Sequence, residues 1–252
     1  MLINTHLAIG SYCYKLCNER YNLNLNKKRF LHGCIEPDLH KRKNKIKHTY
    51  SVSKDKMLEY KQYIENNDLD INEISFVVGK IAHYIADCFC KYHLEEYYGK
   101  DMKDHFIYEI ALHRVLKKAL IKYDKVFNKL LDDMNESKDY LEELKLNREE
   151  YLDLEEDCLN DIYFTIKTTC QLLYLTQKYL VKIEESYKLD LKESINNLDS
   201  DLKIIVILYY YEDMSIKDIS ESLNIPQGTI KSRLSRARKK LKEILSINEE
   251  VL

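Results

Sequence analysis

ISFVVGKIAHYIADCFC, residues 74–90, decides the fold class. Ile74, Val77, Val78, Ile81, Ile85 and Cys88 recur at steps of three and four, the period of an α-helix. The opposite side holds Phe76, Gly79 and Cys90, so it is not polar either. A helix apolar nearly all round is predicted to be buried. Lys80, His83 and Asp87 are its only cationic, imidazole or carboxylate side chains. His83 and Asp87 stand four apart, on one face and about one turn from each other. A carboxylate inside such a helix is costly unless it is paired or binds a metal.

The rest of the chain agrees with a helical reading. Its 252 residues are 45% hydrophobic and 33% charged, enough for one large domain or two small ones. This composition excludes collagenous and disordered classes. With 5 Gly and 2 Pro there is little turn material for an all-β protein, and an all-α fold is expected. Leu7, Ile9, Tyr12, Tyr14 and Leu16 predict a first helix, ended by the Asn-rich run at 22–26. The stretch from Ile162 to Val181 carries Lys167 and Lys178, and reads as a buried helix rather than a membrane span. MLINTHLAIG lacks the features of a secretory leader, and the seven Cys have no zinc-finger spacing. A cytosolic protein with reduced thiols is expected, the cysteines acting as small apolar residues.

Net charge is −2, but its distribution is uneven. Asp132 to Asp157 holds twelve acids against three bases, which reads as a solvated helix face. Gly228 to Lys242 holds seven bases and no acid. All eight His lie between His6 and His113. His105 and Glu109 repeat the spacing of His83 and Asp87, and His93 lies between the two pairs. Imidazole and carboxylate are zinc's nitrogen and oxygen donors, though a buried Asp–His hydrogen bond has the same spacing. Residues ten apart on one helix are about 15 Å apart along its axis. His93 therefore cannot share an ion with His83 unless the helix ends before it, and is expected to join His105 and Glu109 around a second ion.

The series His6 in NTHLAIG, Asp38 in GCIEPDLH, His48, His83 with Asp87 in HYIAD, His93, and His105 with Glu109 in HFIYE resembles the bacterial zinc-dependent phospholipases C. Motif by motif the resemblance covers about residues 1–125, and by helical character it extends to about 185. It implies a helical domain holding up to three zinc ions, two of them bridged by Asp87. Asp38, His48, His83 and Asp87 would hold one ion; His93, His105 and Glu109 another; His6 and Asp87 a third. Secreted members give that third ion an N-terminal Trp, and this chain has no Trp. The implied chemistry is hydrolysis of a phospholipid or other phosphodiester, with Asp38 orienting the attacking water or accepting its proton. His32, His40 and His113 match nothing in the pattern, and the cations from Lys41 to Lys47 read as a solvated loop.

At the other end, Leu202 to Tyr211 is an apolar helix followed by EDMSIKDISESLNIPQGTIKSRLSRARKKLKEIL. Ser215 is an N-cap with Asp218 three residues on. Asn224 to Pro226 break the helix, and Ile230, Leu234, Ala237, Leu241 and Leu245 give the next one an apolar stripe. Two short helices across a tight turn, the second basic, form a helix-turn-helix. A cationic amphipathic helix facing solvent or a membrane is the alternative. The run IPQGTIKSRLSRARKKL resembles region 4 of the sigma-70 family, over about 191–246. The resemblance implies that Gln227, Thr229, Lys231, Ser232, Arg233 and Arg236 approach DNA, with RNA polymerase as a further partner. No region 2-like segment accompanies it, so a self-sufficient sigma factor is not expected.

Two domains are thus expected, 1–187 with the zinc pattern and 188–252 with the helix-turn-helix, joined by a linker at Lys188 to Ser200. Two functions remain open. One is a zinc-dependent phosphodiester hydrolase with a DNA-binding module. The other is a transcription regulator whose zinc domain is structural or senses a ligand.

Overall fold

The computed structural model describes residues 1–39, 49–94, 97, 102–132, 134 and 138–249, with side chains as far as 245. His40, His48 and the cations from Lys41 to Lys47 lie outside the described residues. Among the described residues the fold is all-α, with no strand. Contacts divide the chain into two compact units, Met1–Leu180 and Val181–Leu252.

The first unit contains α1 (Ile3–Tyr21), α2 (Lys27–Gly33), α3 (Glu36–Leu39), α4 (Tyr50–Glu65) and α5 (Ile71–Cys88). A 3-10 turn (Lys91–His93), α6 (Met102–Lys122), α7 (Asp124–Lys129) and α8 (Tyr140–Leu152) follow, and then α9 (Cys158–Asn196). Local sequence sets their ends. Asn22 stops α1 in the left-handed region at φ 49°, a conformation Asn tolerates. Asn26 caps α2 through Lys28 N and Arg29 N, and Asp70 caps α5 through Asn72 N and Glu73 N.

α5 is the centre of this unit. Thirteen of its residues from Ile74 to Cys88 are buried, as its all-round apolar pattern requires. α2 crosses it at backbone distance, because Gly33 and Gly79 face each other. A Cβ on Gly79 would fall 2.1 Å from the Phe30 carbonyl oxygen and 2.8 Å from Gly33 Cα. Only glycine permits that approach. α1 lies against α9, with Cys13 Sγ 4.0 Å from the Ile166 carbonyl and Cys17 Sγ 3.9 Å from that of Cys170. The acidic α8 buries Tyr140, Leu144, Asn147 and Tyr151 and leaves Glu142, Glu149 and Glu150 exposed.

The division between the units falls inside α9, after Leu180. This corrects the expected linker at Lys188 to Ser200, which is helix as far as Asn196. The segment is polar but has no Gly or Pro to end a helix, and Leu, Lys and Glu are good helix formers. The second unit continues with α10 (Ser200–Tyr210), α11 (Ile216–Leu223) and α12 (Gln227–Glu249). Ser215 and Asp218 form a reciprocal capping box, and Asn224 ends α11 in the left-handed region. Ile219, Ile230 and Leu234 pack with Ile205, while Ala237 packs with Ile195, Leu198, Leu202 and Val206. α11 and α12 therefore form a helix-turn-helix backed by α10.

Candidate functional site

Two carboxylates at the heart of the first unit gather the imidazoles. α5 carries His83 and Asp87, both fully buried, with His83 Nε2 3.2 Å from Asp87 Oδ2. α1 brings His6, whose Nε2 is 3.4 Å from Asp87 Oδ1 and whose ring stacks on His83 at 4.0 Å between centroids. Asp38, from α3, places Oδ1 3.6 Å from His83 Nε2 and Oδ2 3.8 Å from His6 Nε2. His6, Asp38, His83 and Asp87 therefore converge.

The second group hinges on the end of α5. Phe89 leaves helical geometry, and the Arg148 guanidinium donates to the Cys88 carbonyl at 2.6 Å. The chain then turns back, so His93 is not carried 15 Å away along a continuous helix. His93 Nδ1 lies 3.1 Å from Asp87 Oδ1, and its Nε2 lies 3.5 Å from Glu109 Oε1. His105 Nε2 reaches the same Glu109 oxygen at 2.9 Å from one turn earlier on α6. The Met1 amino group lies 2.8 Å from Asp87 Oδ1, 3.1 Å from Glu109 Oε1 and 3.3 Å from His93 Nε2.

The electrostatics favour a cation at this place. Burial works against the charge of the Met1 amine, but Asp87, Cys90 and Glu109 outweigh it and push its pKa up to about 11. Burial would raise the Glu109 carboxyl, yet hydrogen bonds from His105 and His93 hold it well below the usual carboxylate range. Burial and the neighbouring His83 push His6 down to about 3, so its ring is neutral, the state in which imidazole ligates metals.

The residues fit zinc on three observations. His6 is 2% exposed, and neither of its ring nitrogens has a hydrogen-bond partner among the described residues. Buried polar atoms are normally paired, so an ion is the natural partner for this one. His83 Nδ1 lies 3.0 Å from the Cys34 carbonyl, which can only accept, so Nδ1 carries the proton. Nε2 then faces Asp38 and Asp87, and an Nδ1–H bond to a backbone carbonyl is how proteins orient a metal-binding imidazole. Finally, two groups of donor atoms lie within 4.8 Å of one another among the described residues: His6, His83 and Asp87, and Cys90, His93 and Glu109.

Of the residues expected from sequence, His6, Asp38, His83 and Asp87 come together, and His93, His105 and Glu109 come together beside them. His113 stands apart, its Nδ1 3.1 Å from Thr5 Oγ1, and His32 packs on Phe76. Two features were not foreseen. The Cys34 carbonyl leaves no side-chain signal. Cys90, taken as apolar filling, did have one in its three-residue spacing to His93.

In the second unit Gln227, Lys231, Ser232 and Arg236 are exposed on α12 and Thr229 is half-buried. Ser232 Oγ donates to the Thr229 carbonyl at 2.8 Å. Arg233 is half-buried, with Nε 3.3 Å from Asp201 Oδ2 on α10. Lys240 pairs with Asp199 at 2.9 Å. Lys231 and Arg236 both expose their cations on the solvent side of α12.

Fold and site together define an all-α protein, among the described residues, with a buried histidine–carboxylate cluster and a helix-turn-helix. Residues 5–158 match the family described as zinc dependent phospholipase C, more than half of the chain, and the chain belongs to that family. Residues 188–241 match sigma-70, region 4. The chain is 34% identical over 55 residues to the ECF RNA polymerase sigma factor SigW of Bacillus subtilis (strain 168), covering 22% of this chain and 29% of that protein. It is 44% identical over 46 residues to the ECF RNA polymerase sigma-E factor of Haemophilus influenzae (strain ATCC 51907 / DSM 11121 / KW20 / Rd), covering 18% of this chain and 24% of that protein. The chain thus spans less than a third of the length of either relative. No solved structure matches it at a significant level.

Proposed function

We propose that residues 1–187 form a zinc-dependent phosphodiester hydrolase of phospholipase C type, and that 188–252 form a module that binds DNA. The observation that carries the first half is the convergence of His6, Asp38, His83 and Asp87 on one buried place, where among the described residues the His6 ring nitrogens make no close hydrogen bond. Zinc, when bound, supplies Lewis acidity toward a phosphoryl oxygen and activates water near neutral pH. By the resemblance, Asp38, His83 and Asp87 would hold one ion together with His48, which lies outside the described residues, and His6 with Asp87 would hold another. His93, His105 and Glu109 would hold a further ion, and Asp87 would bridge the first two. Asp38 sits on the short helix after Pro37, its side chain 5% exposed. From there its carboxylate orients a water or takes its proton.

The test is hydrolysis of a simple phosphodiester, and of phospholipid vesicles, by the zinc-loaded chain and by Asp38→Asn. Loss of about 10²–10⁴-fold in turnover is expected for the variant, the usual contribution of a general base. Zinc-loaded wild type that turns over no phosphodiester would overturn the hydrolase.

That outcome would favour the second function, a transcription regulator whose zinc domain is structural or senses a ligand. The near-complete burial of His6, His83 and Asp87 and the sigma-factor relatives support it. DNA binding belongs to both proposals. Lys231 and Arg236 would meet phosphate, Gln227, Thr229 and Ser232 would lie near them, and Arg233 would first exchange Asp201 for its new partner. RNA polymerase is a further partner by the same likeness. Seven free cysteines support a reducing, cytosolic setting. No described helix is long and apolar enough to cross a membrane.

A further inference from the structure

Cys90 takes no part in the ligand pattern of the phospholipase C motifs, yet the structure puts its sulfur among their donors. It is fully buried, and its Sγ, a His93 ring nitrogen and a Glu109 carboxylate oxygen lie within 4.8 Å of one another. The backbone explains the juxtaposition. α5 ends at Cys88, Cys90 is extended at φ −99° and ψ 122°, and the 3-10 turn begins directly after it. His93 N donates to the Cys90 carbonyl at 2.8 Å, so the two side chains leave one tight turn together. Glu109 arrives from α6, with His105 Nε2 already 2.9 Å from its Oε1.

Thiolate, imidazole and carboxylate are all zinc donors, and four of them complete its tetrahedral coordination. Donors around one such ion stand about 3.3–3.6 Å apart, given zinc–sulfur and zinc–nitrogen lengths of ~2.3 and ~2.0–2.1 Å. Because the three donors lie within 4.8 Å of one another, a contraction of at most about 1.5 Å would bring them to that spacing.

We propose that Cys90 is a thiolate ligand of the ion held by His93, His105 and Glu109. This rests on the zinc-binding function proposed above. A zinc–sulfur bond forms, and the thiol proton is released to solvent. With Cys90 in place this ion has four protein ligands, the closed set of a structural zinc, whereas a catalytic zinc keeps one position open. Hydrolysis would then fall to the ion beside Asp38 and His83.

Zinc-edge X-ray absorption on the zinc-loaded full chain tests this, in wild type, Cys90→Ser and Cys90→Ala. The expected wild-type spectrum has a sulfur shell at ~2.3 Å beside the nitrogen and oxygen shell at ~2.0–2.1 Å. The sulfur shell should vanish in whichever variant folds, while the lighter shell stays. Bound zinc with no sulfur shell in wild type overturns the proposal and leaves the zinc-binding function standing. A sulfur shell that persists in both variants also overturns it, because another cysteine is then the ligand. A chain that takes up no zinc overturns both.

Discussion

Asp161 shows how burial alone changes a side chain's chemistry. It is fully buried, accepts hydrogen bonds from Tyr108 and Tyr151 at 2.8 Å each, and among the described residues joins no group of metal donors. Burial pushes its pKa up to about 7, although the two tyrosines and the Lys91 amide pull the other way. Between its ordinary value of 3.8 and that folded value the native state holds a proton that the unfolded chain lacks. Stability is therefore fully present below the lower limit, falls as pH rises through the window by about 1.4 kcal/mol per unit, and levels off above it. Asp161→Asn removes the slope. In thermal unfolding from pH 4 to 8 its advantage over wild type should grow up to about pH 7 and then stay constant. Parallel curves would show that Asp161 ionises normally. Nothing in the sequence marked Asp161, since its two tyrosines come from two other helices, Tyr108 from α6 and Tyr151 from α8. The metal-site residues were legible because HxxxD and HxxxE put both members of a pair on one helix face.

At the scale of elements, the crossing of α2 over α5 positions the site. It brings the Cys34 carbonyl to His83 Nδ1 and Lys80 to within 3.1 Å of Glu36 on α3, which carries Asp38. Gly79→Ala would gain about 1 kcal/mol in helix propensity. Against this, its methyl group would meet backbone atoms of Phe30, Gly33 and Cys34, none of which can rotate away. The clash decides the sign. We expect a net loss of about 1–3 kcal/mol in denaturant unfolding, together with weaker zinc retention. Unchanged stability would mean that the helices separate freely.

In the helix-turn-helix, Ser215→Ala removes one half of the capping box and should cost about 1 kcal/mol. Far-ultraviolet circular dichroism during unfolding would follow it, and no change would mean that Asp218 caps alone. α5, α11 and α12 were plain from apolar period and caps. The end of α9 was not, because charged residues at 188–196 read equally as a linker or as an exposed helix. Ile195, packed with Leu198, decides between them only in three dimensions. The turn after α5 was equally hidden, since Arg148, sixty residues on, supplies the bond to the last open carbonyl.

At the scale of the molecule, a slight net negative charge conceals one strongly cationic helix and one buried cluster of metal donors. DNA affinity should fall steeply with added salt, and Lys231→Ala and Arg236→Ala should each reduce the slope of log K against log salt by about 1. An unchanged slope would remove those two residues from the interface. The central claim is that the buried carboxylates of the first unit are there to hold zinc. Asp87 reaches His6, His83 and His93 at once, so its loss disturbs every proposed ion. The most direct measurement is the zinc content of purified wild type and of Asp87→Asn, each shown to be folded by circular dichroism. Two or more zinc ions per wild-type chain, with loss of at least one in the variant, is the predicted result. A folded wild-type chain that stays zinc-free after exposure to the metal, or a variant that keeps its full complement, would contradict it.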